Sequence, residues 1–148
     1  MTDDTKSSSK KIPVIEIFGP TIQGEGALCG FVSHFVRLGG CPYRCKWCDS
    51  LHAVLPEEIK KNATYMTQRE LAAKVSALPE SRWCTLTGGD PVMWDLTEFM
   101  HFLGEGNHSL TRPAINVETE GYLKQDWLLR CDLITVSPKV PALVWRTS

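Results

Sequence analysis

Residues 32–48 read VSHFVRLGGCPYRCKWC, an apolar strand-like run that ends at two glycines and leads directly into three cysteines. Cys41, Cys45 and Cys48 follow one another with three and then two residues between them. Three thiols so close in sequence cannot all form disulfides with one another, so their odd number favours a metal ion or an iron–sulfur cluster. A site with three protein ligands leaves one coordination position for a small molecule, and we expect the reactivity there.

The spacing of these cysteines leaves two kinds of site open. A [4Fe–4S] cluster held by three thiolates is the first, and a zinc ion completed by His52 is the second, because three cysteines and one histidine form a closed tetrahedral shell. The other cysteines, at positions 29, 84 and 131, are scattered singly. Cys84 and Cys131 lie in or beside apolar strand-like runs, so we expect them to be small buried hydrophobic residues, and none of the three is assigned to a site.

Length and charge limit the classes of protein that this chain can belong to. It has 148 residues and a formal net charge of −1, with acidic and basic residues interspersed. This pattern predicts neither a nucleic-acid partner nor an anionic membrane partner. No apolar run reaches the roughly 20 residues of a membrane span, and the polar N-terminus does not resemble a signal peptide. We therefore predict a cytoplasmic protein with a disordered tail at residues 1–12 and a single domain at 13–148.

Strand and helix patterns alternate along that domain. Strands are predicted at residues 14–18, 32–38, 83–87, 114–118 and 132–136. A capping box of Thr67 and Glu70 predicts a helix start, and a second helix is expected from Asp90 as N-cap through Leu103. A short helix is predicted at 124–130, and residues 52–66 are predicted to be a connection. This order indicates an α/β fold with parallel strands and right-handed crossovers.

Polar residues follow the ends of several predicted strands. They are found in the cysteine loop and at residues 87–90, 118–121 and 137–139. Because the carboxyl ends of parallel strands meet at one edge of a sheet, we expect a site at that edge. Arg37 either extends outward to solvent or points into this site to hold a carboxylate, and the pattern favours neither. Asp49 and Ser50 offer oxygen ligands beside the cysteines.

Six segments, in chain order, resemble the 7-carboxy-7-deazaguanine synthases of the radical S-adenosylmethionine superfamily. They are Thr21-Ile-Gln-Gly-Glu-Gly26, Phe35-Val-Arg-Leu38, Cys41 to Ser50, Leu86-Thr-Gly-Gly-Asp-Pro91, Glu118-Thr-Glu-Gly121 and Thr135-Val-Ser-Pro-Lys139. The resemblance implies a partial, incomplete (βα) barrel of the radical S-adenosylmethionine type with parallel strands. It also implies a C-terminally short domain, since members of this family continue well past the last segment.

The resemblance assigns roles to individual residues. Cys41, Cys45 and Cys48 would bind the [4Fe–4S] cluster, and Ser50 would be a ligand of Mg²⁺. The cofactor S-adenosylmethionine would contact Trp47, Cys48, Asp49, Gly89, Ser137, Pro138 and Lys139. The pterin substrate would contact Ile22, Gln23, Gly24, Arg37 and Thr87. Asp90 stands where this family has a glutamate, which shortens its reach towards the amino group of the cofactor.

The implied activity is that of a lyase. An electron from the cluster would cleave S-adenosylmethionine to a 5′-deoxyadenosyl radical, which abstracts a hydrogen atom from 6-carboxy-5,6,7,8-tetrahydropterin. Ring contraction would then release ammonia and give 7-carboxy-7-deazaguanine, as in queuosine biosynthesis. A flavodoxin or ferredoxin would act as reductant, and a homodimer is expected. The alternatives are an activating enzyme that forms a glycyl radical on a partner protein and a noncatalytic zinc-binding module.

Overall fold

The computed structural model describes residues 10–105 and 112–140, which contain a six-stranded sheet in the order β3-β1-β2-β4-β5-β6. The strands are β1 (Ile12–Ile22), β2 (Val32–Leu38), β3 (Thr64–Met66), β4 (Trp83–Gly88), β5 (Ala114–Thr119) and β6 (Leu133–Val136). Strands β2, β4, β5 and β6 are parallel, whereas β1 is antiparallel to both β2 and β3. The sheet is open, with β3 and β6 at its edges. The predicted α/β class with an incomplete barrel is confirmed.

The prediction of parallel strands holds for β2, β4, β5 and β6 and is wrong for β1, which is antiparallel to both of its neighbours. The chain passes from β1 to β2 through residues 23–31. This connection is shorter than the dozen or so residues that a parallel crossover needs, so the two strands can pair only in antiparallel fashion. Strand β3 then adds to the free side of β1, where Ile12 pairs with Met66.

Within residues 10–105 and 112–140, four α-helices accompany the sheet: α1 (Leu51–Val54), α2 (Pro56–Asn62), α3 (Gln68–Ser76) and α4 (Thr97–Glu105). The predicted capping box at the start of α3 is confirmed. The Thr67 Oγ1 atom accepts a hydrogen bond from the Glu70 amide at 3.2 Å, and the Thr67 amide donates to Glu70 Oε2 at 2.7 Å. Residues 52–66, predicted to be a connection, instead contain most of α1, all of α2 and strand β3.

The helix predicted to begin at Asp90 begins instead at Thr97. Asp90 caps only a 3₁₀ turn at Pro91–Met93, and the carbonyl of Trp94 then accepts a hydrogen bond from Trp127 Nε1 at 3.0 Å. Because this distant donor occupies the Trp94 carbonyl, the helix does not start there. It starts at Thr97, whose amide donates to Asp95 Oδ1 at 3.0 Å. The helix predicted at 124–130 is likewise a 3₁₀ turn, at Asp126–Arg130.

The two faces of the parallel strands differ in chemistry because side chains alternate along each strand. On one face, Val36, Leu86 and Val117 are fully buried against α3 and α4, in a core that includes Phe99 and Leu103. The apolar stripe predicted for the second helix therefore does pack in the core. Burial of such side chains is the dominant favourable contribution to folding.

On the opposite face, one polar side chain from each parallel strand belongs to a hydrogen-bonded row. Ser33 Oγ lies 3.0 Å from Thr85 Oγ1, and Asn116 Nδ2 donates to the same Thr85 oxygen at 3.4 Å. Thr135 Oγ1 completes the row by donating to Asn116 Oδ1 at 3.0 Å. These mutually satisfied groups make the face polar without leaving the named atoms unpaired.

Strand β1 begins at Ile12, which is 2% exposed, so the predicted tail gives way to the sheet by that residue. Most of that tail, residues 1–9, and the C-terminal segment at 141–148 lie outside the described residues. Within the described ranges, no helix is long and apolar enough to cross a membrane.

Candidate active site

A cavity of about 560 Å³ opens at the C-terminal ends of the parallel strands. Its walls come from the end of β1, the cysteine loop, the residues that follow β4 and β5, and the segment that follows β6. The predicted placement of a site at this edge is therefore matched by a single cavity that all these loops share.

All three cysteines of the loop line this cavity. Cys41 is buried, and burial raises the pKa of its thiol to about 12; burial also raises the pKa of Cys45. Among the described residues, no three His, Cys, Asp or Glu side chains are placed to hold a single metal ion. His52, the predicted fourth ligand of a zinc site, is not among the residues that line the cavity.

The three thiols of this loop suit an iron–sulfur cluster with three protein ligands. Each of the three thiolates of such a cluster binds a different iron atom, so the sulfur atoms stand farther apart than the ligands of one zinc ion. Thiolate donors are also the preferred ligands of iron–sulfur clusters. Because the thiols are buried or half-buried, the positive charge of bound iron is what would deprotonate them.

Glycines position the cysteine loop by allowing two backbones to approach each other closely. A Cβ atom on Gly89 would lie 2.0 Å from the carbonyl oxygen of Gly40, and one on Gly88 would lie 2.1 Å from that of Leu38. In this space the Gly89 amide donates to Leu38 O at 3.0 Å, and the Asp90 amide donates to Gly40 O at 2.6 Å. The turn after β4 therefore holds Leu38 and Gly40, the third and the first residue before Cys41.

Asp90 is fully buried and all of its contacts are internal. Its Oδ1 atom accepts from the Val92 amide at 3.2 Å, and its Oδ2 atom accepts from Thr119 Oγ1 at 3.0 Å and from the Glu120 amide at 3.1 Å. Asp90 is not among the residues that line the cavity. It ties the end of β5 to the turn after β4.

Glu120 lines the cavity beside Cys41, whose Sγ atom lies 3.7 Å from Glu120 Oε1. The other carboxylate oxygen, Oε2, is buried and has no hydrogen-bond partner among the described residues. Burial, followed by the neighbouring Asp90, raises the pKa of Glu120 to about 8. Because few hydrogen bonds offset the burial of this carboxylate, it favours the approach of a cation.

A second carboxylate in the cavity wall, Glu118, is half-buried. Gln23 Nε2 donates to Glu118 Oε1 at 2.8 Å, and Thr87 Oγ1 donates to Glu118 Oε2 at 2.6 Å. Burial raises the pKa of Glu118, although the hydrogen bond from Thr87 partly opposes the effect. Gln23 itself is almost completely buried, which fixes the orientation of this polar group.

Arg37 lies in the wall of the cavity, which answers the question that the sequence left open. Its Nε atom donates to Glu16 Oε1 at 2.6 Å, so Glu16 on the neighbouring strand fixes the side chain. Its Nη1 atom is 3.5 Å from Ser50 Oγ, and Ser50 Oγ donates to Asp49 Oδ1 at 2.9 Å. The guanidinium therefore remains beside the cysteine loop instead of extending away from it.

The cavity brings together nearly all the residues that the resemblance selected. Those lining it are Ile22, Gln23, Gly24, Arg37, Cys41, Cys45, Trp47, Cys48, Asp49, Ser50, Thr87, Gly89, Ser137 and Lys139. Pro138 is the exception, because the chain on either side of it lines the cavity and Pro138 does not. The role of each residue towards a cofactor or substrate stays a prediction.

Sequence reasoning missed several residues of this wall. Glu118 and Glu120 were recognised as polar residues after a strand, but neither was selected as a site residue. Phe18 and Phe35 also line the cavity, with ring centroids 5.0 Å apart and rings nearly parallel at 7°. Strand alternation places Phe35 and Arg37 on the same face of β2, and this signal was available from the sequence.

The chain matches the model of a protein family described as "4Fe-4S single cluster domain" over residues 22–134. It is also similar to curated proteins named 7-carboxy-7-deazaguanine synthase. The protein from Bacillus subtilis is 41% identical over 137 residues, which cover 90% of this chain and 54% of that protein. The protein from Bacillus cereus is 39% identical over 139 residues, which cover 93% of this chain and 56% of that protein.

The fold is similar to a solved structure titled "Crystal structure of QueE from Escherichia coli". The TM-score is 0.70 at 28% sequence identity, and the match covers 88% of this chain and 61% of that one. The chain thus spans about half the length of the curated relatives given above.

Proposed function

Since this chain belongs to the 4Fe-4S single cluster domain family and is similar to proteins named 7-carboxy-7-deazaguanine synthase, we propose that it carries the reaction centre of such a synthase. The proposed reaction converts 6-carboxy-5,6,7,8-tetrahydropterin to 7-carboxy-7-deazaguanine and ammonia. One observation carries the proposal. Three cysteine thiols, an anchored arginine and a buried group of polar side chains line the same cavity.

The thiols of Cys41, Cys45 and Cys48 would hold the [4Fe–4S] cluster. When bound, this cluster and S-adenosylmethionine supply the one-electron chemistry that starts the ring contraction. The backbone around Trp47 to Asp49, together with Gly89 and the segment at 137–139, would form the pocket for S-adenosylmethionine. Gly89 lines the cavity, so its backbone would be available to this ligand.

The polar end of the cavity would hold the substrate. The pterin ring presents N–H donors, and Glu118 accepts hydrogen bonds in an orientation fixed by Gln23 and Thr87. The Arg37 guanidinium, anchored by Glu16, suits the substrate carboxylate because its planar fork matches a carboxylate in two-pronged contacts. Protein groups held in this way orient the substrate and exclude water.

The finer parts of the proposal have separate support. Asp49 and Ser50 place two oxygen atoms 2.9 Å apart at the cavity wall, the kind of ligand that Mg²⁺ prefers. Exposed Lys46 and Trp47 on the cysteine loop offer a contact for a cytoplasmic electron donor such as flavodoxin or ferredoxin. Exposed Ile134 and Val136 on the edge strand β6 are apolar surface suited to a homodimer.

The direct test is reconstitution of the chain with iron and sulfide without oxygen, followed by incubation with dithionite, S-adenosylmethionine and the carboxypterin. We expect 7-carboxy-7-deazaguanine, identified by mass spectrometry against a standard. The Cys48→Ala variant is the matched control and should form no product. A wild-type chain that holds its cluster and binds S-adenosylmethionine but forms no product would contradict the proposed activity.

A further inference from the structure

Gln23 lies at the polar end of the cavity, and both hydrogens of its side-chain amide are already in use. Its Nε2 atom donates to Glu118 Oε1 at 2.8 Å and to Thr85 Oγ1 at 3.4 Å. Its Oε1 atom accepts from the Glu25 amide at 3.1 Å. Because a backbone amide can only donate, this last contact fixes which end of the Gln23 side chain carries the oxygen. Gln23 therefore has no side-chain N–H left for a ligand.

Thr85 lies behind the cavity wall, and the direction of its hydrogen bonds can be assigned. The Ser33 hydroxyl donates its single hydrogen to the carbonyl of His34 at 2.7 Å, so the 3.0 Å contact between Ser33 Oγ and Thr85 Oγ1 uses the Thr85 hydrogen. The two lone pairs of Thr85 Oγ1 then accept from Gln23 Nε2 and from Asn116 Nδ2, each at 3.4 Å. Thr85 is 0% exposed and is not among the residues that line the cavity. Its hydroxyl therefore acts on the cavity through Gln23.

The hydroxyl of Thr87, which lines the same wall, is occupied as well. Thr87 Oγ1 donates to Glu118 Oε2 at 2.6 Å, while the other oxygen of Glu118 accepts from Gln23. Gln23, Thr87 and the Glu118 carboxylate thus offer a ligand oxygen lone pairs and neither an N–H nor an O–H. A polar group without a matching partner loses its hydrogen bonds to water and gains none, so this wall favours a ligand edge that carries N–H donors.

We infer, on the basis of the proposed function, that Thr85 is a positioning residue that determines which edge of the pterin ring the cavity accepts. By holding the second amide hydrogen of Gln23, Thr85 leaves the polar end of the cavity with acceptors only at Gln23 and Glu118. The exocyclic amino group and the adjacent ring N–H of a pterin are donors, so they match this wall. A pteridine with an oxygen atom in place of that amino group presents an acceptor to oxygen lone pairs.

The test measures the affinities of two oxidised pteridines for the cluster-loaded chain with S-adenosylmethionine present, by isothermal titration calorimetry without oxygen. One is 6-carboxypterin, and the other is 6-carboxylumazine, which carries an oxygen atom in place of the exocyclic amino group. Neither can react, since C6 of these aromatic rings carries no hydrogen atom. The wild-type chain should bind 6-carboxypterin roughly 10- to 100-fold more tightly, the range expected when one buried hydrogen bond is left unmade.

The variants separate positioning from a loss of stability. Thr85→Val replaces the hydroxyl by a methyl group and frees the second amide hydrogen of Gln23. That hydrogen can donate to the oxygen of 6-carboxylumazine, so the preference should fall by roughly 10-fold, whereas a merely structural effect would weaken both ligands alike. Thr85→Ser keeps the accepting oxygen and should retain the wild-type preference.

Cys84→Ala is the matched structural control. Cys84 is the neighbour of Thr85 on β4 and is fully buried in the core, on the opposite face of the sheet. Its replacement should lower the thermal unfolding midpoint and leave the ligand preference unchanged. Circular dichroism verifies that each variant is folded. If Thr85→Val is not, Thr85→Ala removes the same oxygen atom and takes its place.

The outcomes distinguish this inference from the proposed function. The wild-type preference in a folded variant that lacks the Thr85 oxygen would overturn the inference, and so would a wild-type chain that does not distinguish the two pteridines. A wild-type chain that prefers 6-carboxypterin and loses this preference in Thr85→Val, but forms no product, would support the inference and contradict only the proposed activity. A cluster-loaded wild-type chain that binds neither pteridine would overturn both.

Discussion

The close approach of Gly89 to Gly40 makes the cysteine loop sensitive to a single methyl group. In a Gly89→Ala variant, the new Cβ atom would lie 2.0 Å from Gly40 O, whereas real Cβ contacts are essentially never under 3.0 Å. The two backbones would have to separate by about 1 Å. That movement breaks or weakens two hydrogen bonds, from the Gly89 amide to Leu38 O at 3.0 Å and from the Asp90 amide to Gly40 O at 2.6 Å.

The expected loss of stability follows from these contacts. Each backbone hydrogen bond contributes about 1 kcal/mol net, and forcing an extra methyl group into a filled space costs about 1–3 kcal/mol. We therefore expect the free energy of unfolding to fall by about 3–5 kcal/mol. With a urea m-value of about 1–3 kcal/mol per molar, the midpoint of unfolding should fall by more than about 1 M.

The assay is urea unfolding of the wild-type and variant chains, followed by circular dichroism and tryptophan fluorescence. The matched control is Gly104→Ala in α4, where a Cβ atom meets nothing within 4 Å. This control should be neutral or more stable by up to about 1 kcal/mol, because alanine favours the helix. Iron retained after reconstitution should also fall in Gly89→Ala. A midpoint equal to that of the wild type would refute the proposed role of this close approach.

Three further predictions concern other parts of the molecule. Thr67→Ala removes the capping box of α3 and should lower the free energy of unfolding by about 1 kcal/mol, measured in urea. Cys48→Ala should abolish the iron–sulfur absorption of the reconstituted chain, whereas Cys131→Ala, which does not line the cavity, should keep it. Burial raises the pKa of Glu118, so the folded chain binds the proton of this carboxyl group more tightly than the unfolded chain does. The free energy of unfolding therefore falls as pH rises above the ordinary glutamate pKa. Glu118→Gln should therefore gain stability relative to wild type as pH rises from about 4.5; a pH-independent difference between the two unfolding curves would contradict this assignment.

Local signals in the sequence were sufficient to predict a helix start wherever residues close in the chain determine it. The capping box of Thr67 and Glu70 predicted the start of α3 because its two hydrogen bonds join residues three apart. The start of α4 was not predictable in this way, since the carbonyl of Trp94 is held by the Trp127 indole, 33 residues further along the chain. Short helices such as α1 and α2 lack enough periodicity to be recognised from pattern alone.

The sequence by itself determined the chemistry of this protein: three cysteines at cluster spacing, polar residues after strands, and the segments that identify the family. Only the tertiary structure decided how the carboxylates divide their roles. Asp90 and Glu120 are both acidic residues that follow strands, yet the oxygens of Asp90 accept hydrogen bonds from amides and a hydroxyl, whereas Glu120 lines the cavity and one of its buried oxygens has no hydrogen-bond partner in the part of the chain that the structure describes. The reason is physical, because the partners of a buried carboxylate come from strands brought together only by the fold.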